Sequence, residues 1–271
     1  MTSDIAAPAA PGMTQTARLS AILTLLEARP NWAIAELAGH FQVSEETIRR
    51  DVRQLEQMGR VRKVHGGVSL PSSNLEGPYR LRMRRQAEGK MLLSRKAAEL
   101  VHEGMTLFLD AGTTTFWMAR ALSSLRDLTI ITNSIDIAQE VVDRPGQRIF
   151  FAGGTIHPGY HGAFGLEAIS YCRSFVPDMT VLSVGAVEAE RGFMDFDVDE
   201  ASFKRAIIPH ARRIMILADA AKFTLSGVMH FAGYEDVHDL VTDKPLPTDI
   251  CKVAEAAGIQ VHVGDLEAGS D

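Results

Sequence analysis

Apolar positions divide the chain into a helix-spaced front part and a strand-spaced remainder. Leu19, Ile22, Leu23 and Leu26 recur at three- and four-residue intervals, which predicts an amphipathic helix that stops before Pro30. A second helix is predicted over 33–41, with Ile34, Leu37 and Ala38 inward. After a short turn, Ser44 stands as the cap of a third helix, with Glu45 and Glu46 in its first turn, where the helix dipole favours negative charge. Ile48, Val52, Leu55 and Met58 form its expected inner stripe, and Gly59 closes it. Three helices, the last two tightly joined, predict a helix-turn-helix. Alternation over 60–64 and the turn residues Gly66 and Gly67 predict a small wing.

From Gln86 the pattern changes. Short apolar runs, each suited to a buried strand, occur at 105–111, 128–132, 149–154, 179–186 and 212–219, with further candidates at 237–243 and 259–263. Helical segments are predicted between them, near 89–101, 116–122 and 135–142. This alternation predicts an α/β fold with a largely parallel open sheet, buried on both faces. The domains expected are a disordered Ala/Pro-rich tail (1–13), a winged helix-turn-helix (14–69), a Pro/Ser-rich linker (70–87) and a larger α/β domain (88–271).

Charge sharpens this division. The whole chain carries net charge -6, but residues 1–90 hold 13 basic and 9 acidic side chains, and the remainder 15 and 25. A mildly basic head on an acidic body suits a small part that meets a polyanion. Cys172 and Cys251 are too few for a disulfide framework or a four-thiolate zinc site and are expected to be reduced. The first residues lack the basic stretch of a secretory signal, and no run approaches the ~18 apolar residues of a membrane span. A cytoplasmic protein without membrane contact is expected.

On the third helix Ser44, Thr47, Arg49, Arg50 and Arg53 lie off the apolar stripe, and Arg60, Arg62 and Lys63 add charge at the wing. Arg and Thr near the start of a recognition helix reach base edges in a major groove, while flanking cations meet phosphates. By charge alone the same face suits a protein-interaction module. The stretch VSEETIRRDVRQLEQMGRVRKVHGG closely resembles the signature of DeoR-type bacterial transcriptional regulators. The resemblance implies a winged helix-turn-helix bound to double-stranded operator DNA. It also implies that Asp51 orients neighbouring arginines and that His65 is a structural wing-base residue.

A second constellation is LFLDAGTTTFWMARAL, in which a strand delivers Asp110 and Gly112, Thr113, Thr114 and Thr115 lead into a helix. Free N–H groups at a helix start, with three hydroxyls, suit a phosphate, although such a segment can also merely cap a helix. The nucleoside-triphosphate loop GxxxxGK[ST] and the dinucleotide pattern GxGxxG are absent. Thr132 and Asn133, Gly153 and Gly154, Gly185, and Asp219 with Lys222 follow later strands at the same sheet edge, where open sheets bind ligands. Glu200 and Lys204, four apart, suit a pair on one helix face.

The resemblance continues through LDAGTTT, ITNS, AGG, GFMDFDVDEASFKRAII and ILADAAKF. It implies that residues 88–271 form a Rossmann-like, effector-sensing and oligomerising domain similar to ribose-5-phosphate isomerase, with a phosphorylated sugar or related metabolite as effector and no cofactor. Gly112, Thr113, Thr114 and Thr115 would hold the phosphate. Asp110, Thr132, Asn133, Lys204, Asp219 and Lys222 would line the pocket or keep its loops in place. Two departures stand out. Gly185-Ala186-Val187 replaces the family's usual G[IV]D, and Ala220-Ala221 replaces two serines, which suits a larger or less hydroxylated effector.

His157 and His161 invite a metal, but Pro158 and the nearby glycines argue against one shared helix face, and no metal is expected. Asp195, Asp197, Asp199 and Glu200 are expected on a solvated or interface loop, the first three sharing a strand face. Trp32 is expected between the first two helices, and Trp117 under the phosphate loop. The function expected is a homodimeric or homotetrameric transcription factor, a repressor of a carbohydrate or related operon, and not an enzyme, with the linker around 68–87 as the transmission segment and its Arg80, Arg82, Arg84 and Arg85 also suited to backbone phosphates. The alternatives are a sugar-phosphate isomerase carrying a DNA-binding domain and a protein-interaction module.

Overall fold

The computed structural model describes residues 13–28, 31–58, 60–64, 67–69 and 79–264. The expectations for residues 1–12 of the tail, Pro30, Gly59, His65, Gly66 and residues 70–78 lie outside them, whereas Met13, expected in the tail, packs against the apolar core of the first helices. The chain falls into two compact units that divide between Leu81 and Arg82.

The first unit contains α1 (Gln15–Ala28), β1 (Asn31–Ala33), α2 (Ile34–Phe41), α3 (Glu45–Gln57), β2 (Arg62–Val64) and β3 (Gly67–Ser69). Ile22, Leu26, Leu37, Ile48, Val52, Leu55, Val61 and Val68 form its core. The predicted helices and wing are present. β1 was not predicted: it pairs antiparallel with β3, which also pairs with β2. Trp32 lies on β1, and its indole N–H donates to Leu25 of α1 (3.2 Å) while its ring leans on His40 of α2. It therefore sits between the first two helices, as expected.

Two expectations fail here. Met58 is 58% exposed, because α3 ends at Gln57 and Val61 fills the core beyond it. Asp51, not Met58, occupies the fourth position of the buried stripe. It does not orient the arginines beside it. It accepts from Arg18 Nε (2.5 Å) and Gln15 Nε2 (2.9 Å), pinning α1 to α3.

α4 (Tyr79–Arg84) spans the division, within the expected linker, and α5 (Ala87–Ala98) follows. The second unit then runs β4 (Thr106–Leu109), α6 (Thr113–Ala121), β5 (Thr129–Thr132), α7 (Ile135–Val141), β6 (Arg148–Phe151), β7 (Ile156–His157), β8 (Gly162–Ala163) and α8 (Leu166–Cys172). It continues through β9 (Met179–Ser183), β10 (Ala186–Glu188), β11 (Gly192–Asp195), α9 (Val198–Ile207), β12 (Ile214–Leu217), β13 (Met229–Ala232), β14 (Asp239–Thr242), α10 (Thr248–Ala256) and β15 (Gln260–Val263).

Seven strands form one parallel sheet in the order β15-β14-β12-β9-β4-β5-β6. All seven correspond to the apolar runs. Separate apolar clusters, centred on Phe108, Leu182 and Phe203 and on Leu107, Val181 and Met215, cover the two faces. Burial on both sides explains why β12 reads as an unbroken apolar run and why β9 departs from one only at Thr180 and Ser183. Strand order reverses between β4 and β9, so the loops after these strands flank the crevice where open α/β sheets take ligands.

The antiparallel sheet β10-β11-β13 and the hairpin β7–β8 were not predicted. Both are built from two- to four-residue strands, too short for a periodic signal. Cys172 and Cys251 are free thiols, and burial pushes that of Cys172 up to about 12. Among the described residues no helix is long and apolar enough to cross a membrane.

Candidate functional site

On the first unit the outer face of α3 is the basic surface. Ser44 Oγ accepts from the backbone of Thr47 (3.2 Å) and lies 2.9 Å from the Thr47 hydroxyl, so both residues fix the helix start. Arg49 pairs with Glu45 (2.6 Å), Arg53 with Glu46 (2.8 Å) and Lys63 with Glu56 (2.6 Å). Lys63 holds the Glu56 carboxyl below its ordinary range. These pairs are exposed, contribute little by themselves, and exchange readily for a phosphate partner. Arg50 and Arg60 are exposed and make no ion pair among the described residues. Arg50 and Arg53 border one shallow groove with Gln54 and Gln57, as their three-residue spacing requires. Arg62 lies on β2 of the wing.

On the second unit the loops after β4, β5, β6, β9, β12 and β14 lie at one edge of the sheet, since all seven strands are parallel. α6 begins at Thr113, three residues earlier than predicted, so the threonines form its first turn rather than a loop before it. Thr113, Thr114 and Thr115 are buried. The Thr115 hydroxyl accepts from Gly112 N (3.0 Å) and lies 2.8 Å from the Asp110 carbonyl, to which it donates. It is committed to holding the turn. Gly112 is required by close approach: a Cβ there would lie 2.1 Å from Ser183 Oγ.

Asp110 is fully buried at the strand reversal and accepts from Ser183 N (3.0 Å) and Ser183 Oγ (3.0 Å). Lys204 reaches the same place from α9. Its ammonium donates to Asp195 (2.8 Å), Glu200 (2.9 Å) and the Ser183 carbonyl (2.9 Å), and lies 3.3 Å from Asp110. Burial by itself would lower the Lys204 pKa, but Asp195, Glu200 and Asp110 outweigh it and raise it well above the ordinary lysine value. The expected Glu200–Lys204 pair is therefore present, within a larger cluster. The expected acidic strand face is not. Asp195 ends β11 and is buried, whereas Asp197 caps α9 by accepting from Asp199 N and Glu200 N. Asp195 and Glu200 are inside because Lys204 draws both inward.

The remaining predicted positions differ in setting. The Thr132 hydroxyl donates to Leu109 O (2.7 Å), joining β5 to β4. Asn133 donates to Ala163 O (2.9 Å), and its buried Oδ1 has no hydrogen-bond partner. Gly153 and Gly154 are exposed. Gly185 is buried, its N–H donating to Met194 O and Asp195 Oδ1 (both 2.9 Å). Asp219 caps the short turn 220–224 by accepting from Ala221 N, and Lys222 is half-buried on that turn. Asp110, Gly112, Gly185 and Lys204 are thus gathered at the strand reversal, whereas Gly153 and Gly154 belong to the loop after β6, toward the sheet edge.

His157 and His161 go to different carboxylates. His161 Nδ1 is 2.8 Å from Asp136, and His157 Nε2 is 3.9 Å from Asp197. Among the described residues no group of three or more His, Cys, Asp or Glu side chains is arranged to hold a metal. Trp117 meets the Phe116 ring edge-on and carries the Arg120 guanidinium over its own ring.

Two family models match this chain: the DeoR-like helix-turn-helix domain over residues 18–74 and the DeoR C terminal sensor domain over residues 85–244. The chain belongs to the DeoR family. Among its relatives, the glycerol-3-phosphate regulon repressor of Escherichia coli K12 is 32% identical over 93% of this chain and 100% of that protein. The transcriptional repressor CsqR of the same organism is 32% identical over 94% of this chain and 98% of its own. The repressor GlcR of Bacillus subtilis is 29% identical over 96% and 100%. Among solved structures, ribose 5-phosphate isomerase A of Methanocaldococcus jannaschii overlaps 51% of this chain and 55% of that one, with a TM-score of 0.38 and 15% identity.

In this DeoR-family chain two residues near the strand edge, Ser183 and Lys90, escaped the sequence reading. Ser183, which donates to the Asp110 carboxylate, offers no signal beyond being a hydroxyl residue in a mostly apolar strand. Lys90 carries no local signal, and Arg82 reads only as one of the linker arginines. Their place depends on how α4 and α5 meet the loop before α6.

Proposed function

We propose that this protein is a transcriptional repressor of a carbohydrate or related metabolic operon, whose affinity for double-stranded operator DNA is set by a phosphorylated sugar or similar metabolite. One observation carries the DNA reading: Arg49, Arg50 and Arg53 project from the exposed face of α3, the second helix of a helix-turn-helix. In that position they suit base edges and phosphates, with Ser44, Thr47, Arg60, Arg62 and Lys63 alongside. A single head contacts few base pairs, so a homodimer or homotetramer on a repeated site is the arrangement that supplies enough contacts.

The effector is assigned to the start of α6. Its first-turn N–H groups suit an anion, and the start lies beside the crevice between β4 and β9. Asp110, Thr132, Gly185, Lys204 and Asp219 are given the task of holding these loops. Thr113, Thr114, Asn133, Gly153, Gly154 and Lys222 are given contact with the ligand. The effector must favour one of two arrangements of the protein, because equal affinity for both would shift nothing.

The deciding experiment selects tight-binding duplexes from sheared host DNA at roughly 0.15 M salt, where nonspecific binding is partly suppressed. Recovery of one repeated site, released or tightened by a phosphorylated metabolite of the adjacent genes, is the expected outcome. Recovery without sequence preference from folded protein overturns the regulator reading. A second reading, a sugar-phosphate isomerase, is favoured by the four ionisable groups Asp110, Asp195, Glu200 and Lys204 beside the anion loop. Turnover of pentose or hexose phosphates by the purified protein would establish it.

A further inference from the structure

Lys90 belongs to neither set of residues to which the sequence pointed. It lies in the first half of α5 and is 4% exposed. Its ammonium donates to the Thr113 hydroxyl (3.1 Å) and to the Arg82 carbonyl (2.5 Å). Thr113 opens α6, and Arg82 is the residue at which the chain enters the second unit. Arg82 is itself anchored: its guanidinium donates to Gly159 O (2.9 Å) and stacks 4.5 Å above the Tyr160 ring.

Gly159 and Tyr160 form the turn of the β7–β8 hairpin, which rests on the loops at the strand edge. A Cβ on Gly162 would lie 2.4 Å from Ala111 Cβ, and Ala163 exchanges hydrogen bonds with Asn133 in both directions. Asn133 Oδ1 remains buried without a hydrogen-bond partner there, an acceptor suited to a ligand hydroxyl.

We propose that Lys90 binds a phosphoryl oxygen of the effector, and does so at the expense of its bond to the Arg82 carbonyl. This rests on the effector reading above. A phosphate at the start of α6 lies against Thr113, whose hydroxyl Lys90 already touches. Lys90 makes a charge-assisted bond to either acceptor, but the phosphate is itself anionic, and this pair of opposite charges in a buried setting outcompetes the neutral carbonyl. The Arg82 backbone then loses its tie to α5, and its grip on the hairpin shifts with it. Anion occupancy is thereby reported at the segment through which the chain continues to the DNA-binding head. An uncharged sugar gains nothing from Lys90, so the residue also selects phosphorylated ligands.

The test uses the full chain, its Lys90→Gln and Lys90→Arg variants, and a panel of phosphorylated three- to six-carbon sugars and polyols, each beside its unphosphorylated form. Calorimetry measures affinity, and amide hydrogen exchange is followed at residues 79–86. The wild type is expected to prefer the phosphorylated member and to exchange faster at 79–86 when it is bound. Lys90→Gln should lose tenfold or more in that preference and lose the exchange response, while Lys90→Arg, which keeps the charge, should recover much of the preference. Should Lys90→Gln fold poorly, the comparison of Lys90→Arg with wild type and the wild-type exchange response decide the matter. Equal affinity of Lys90→Gln and wild type for a phosphorylated ligand, or binding without a change at 79–86, overturns this inference alone. No phosphorylated ligand bound by wild type overturns the effector reading and this inference with it.

Discussion

Asp110 and Lys204 meet at 3.3 Å where the order of the parallel sheet reverses, although one directly follows β4 and the other lies on α9. Both are essentially inaccessible to water, and Asp195 and Glu200 complete the cluster. Removing the lysine leaves buried carboxylates without their cation. Lys204→Met is expected to destabilise the protein by about 3–5 kcal/mol. Denaturant melts of the two proteins at neutral pH check this, and a loss below ~1 kcal/mol would contradict it.

In the head, the buried pair of Arg18 and Asp51 holds α1 against α3. Asp51→Ala strands the Arg18 guanidinium and is expected to cost about 3 kcal/mol, within the range for breaking buried pairs. The readout is faster amide exchange in α1 and α3, with that of the seven-stranded sheet unchanged.

Arg49→Ala and Arg50→Ala are expected to weaken specific duplex binding about tenfold or more, with a smaller effect on nonspecific duplex. Arg84→Ala, on the connecting helix, should instead reduce the salt slope of binding by about one unit. Fluorescence anisotropy on both duplexes over a salt series separates the two. An unchanged specific-to-nonspecific ratio for Arg49→Ala removes α3 from base recognition.

Gly112→Ala places a methyl group against Ser183, whose Oγ would be 2.1 Å away. The loop must move, which is expected to cost about 1–3 kcal/mol as overpacking does. Effector affinity should fall with it, since the same loop opens α6. Calorimetry on the folded variant tests this, and wild-type affinity would show that the loop takes no part in binding.

Acid stability should depend on Asp239. Burial by itself raises its carboxyl, but hydrogen bonds from Arg213 and His262 outweigh this and hold it below the ordinary range. A lowered folded pKa means that the stabilisation is present above the unfolded value of about 3.9 and is lost as pH falls through the folded one. Asp239→Asn is therefore expected to be less stable at neutral pH and to lose less on acidification below about pH 4. Thermal melts from neutral to acid pH give the comparison.

The chain's order alone determined the helix-turn-helix, the seven strands and their parallel arrangement. Periodic apolar positions, a capping Ser44 and unbroken apolar strands such as 214–217 are local features, and burial on one face or both imposes them directly. The loops at the sheet's carboxyl edge were legible for the same reason, because parallel strands put every such loop on one side. What each polar residue does there was not legible. Lys204 reads as one member of an i,i+4 pair, and only the folding of α9 over the strand reversal gives it Asp110 and Asp195 as well. Asp51 reads as a neighbour of arginines, yet it turns inward to Arg18. Arg82 reads only as one of the linker arginines and Lys90 gave no sign of its role, because their partners Gly159 and Thr113 are distant in sequence and become neighbours only through tertiary packing. Period and capping are written within a few residues of chain, whereas a buried charge takes whichever partners the fold brings within hydrogen-bonding reach.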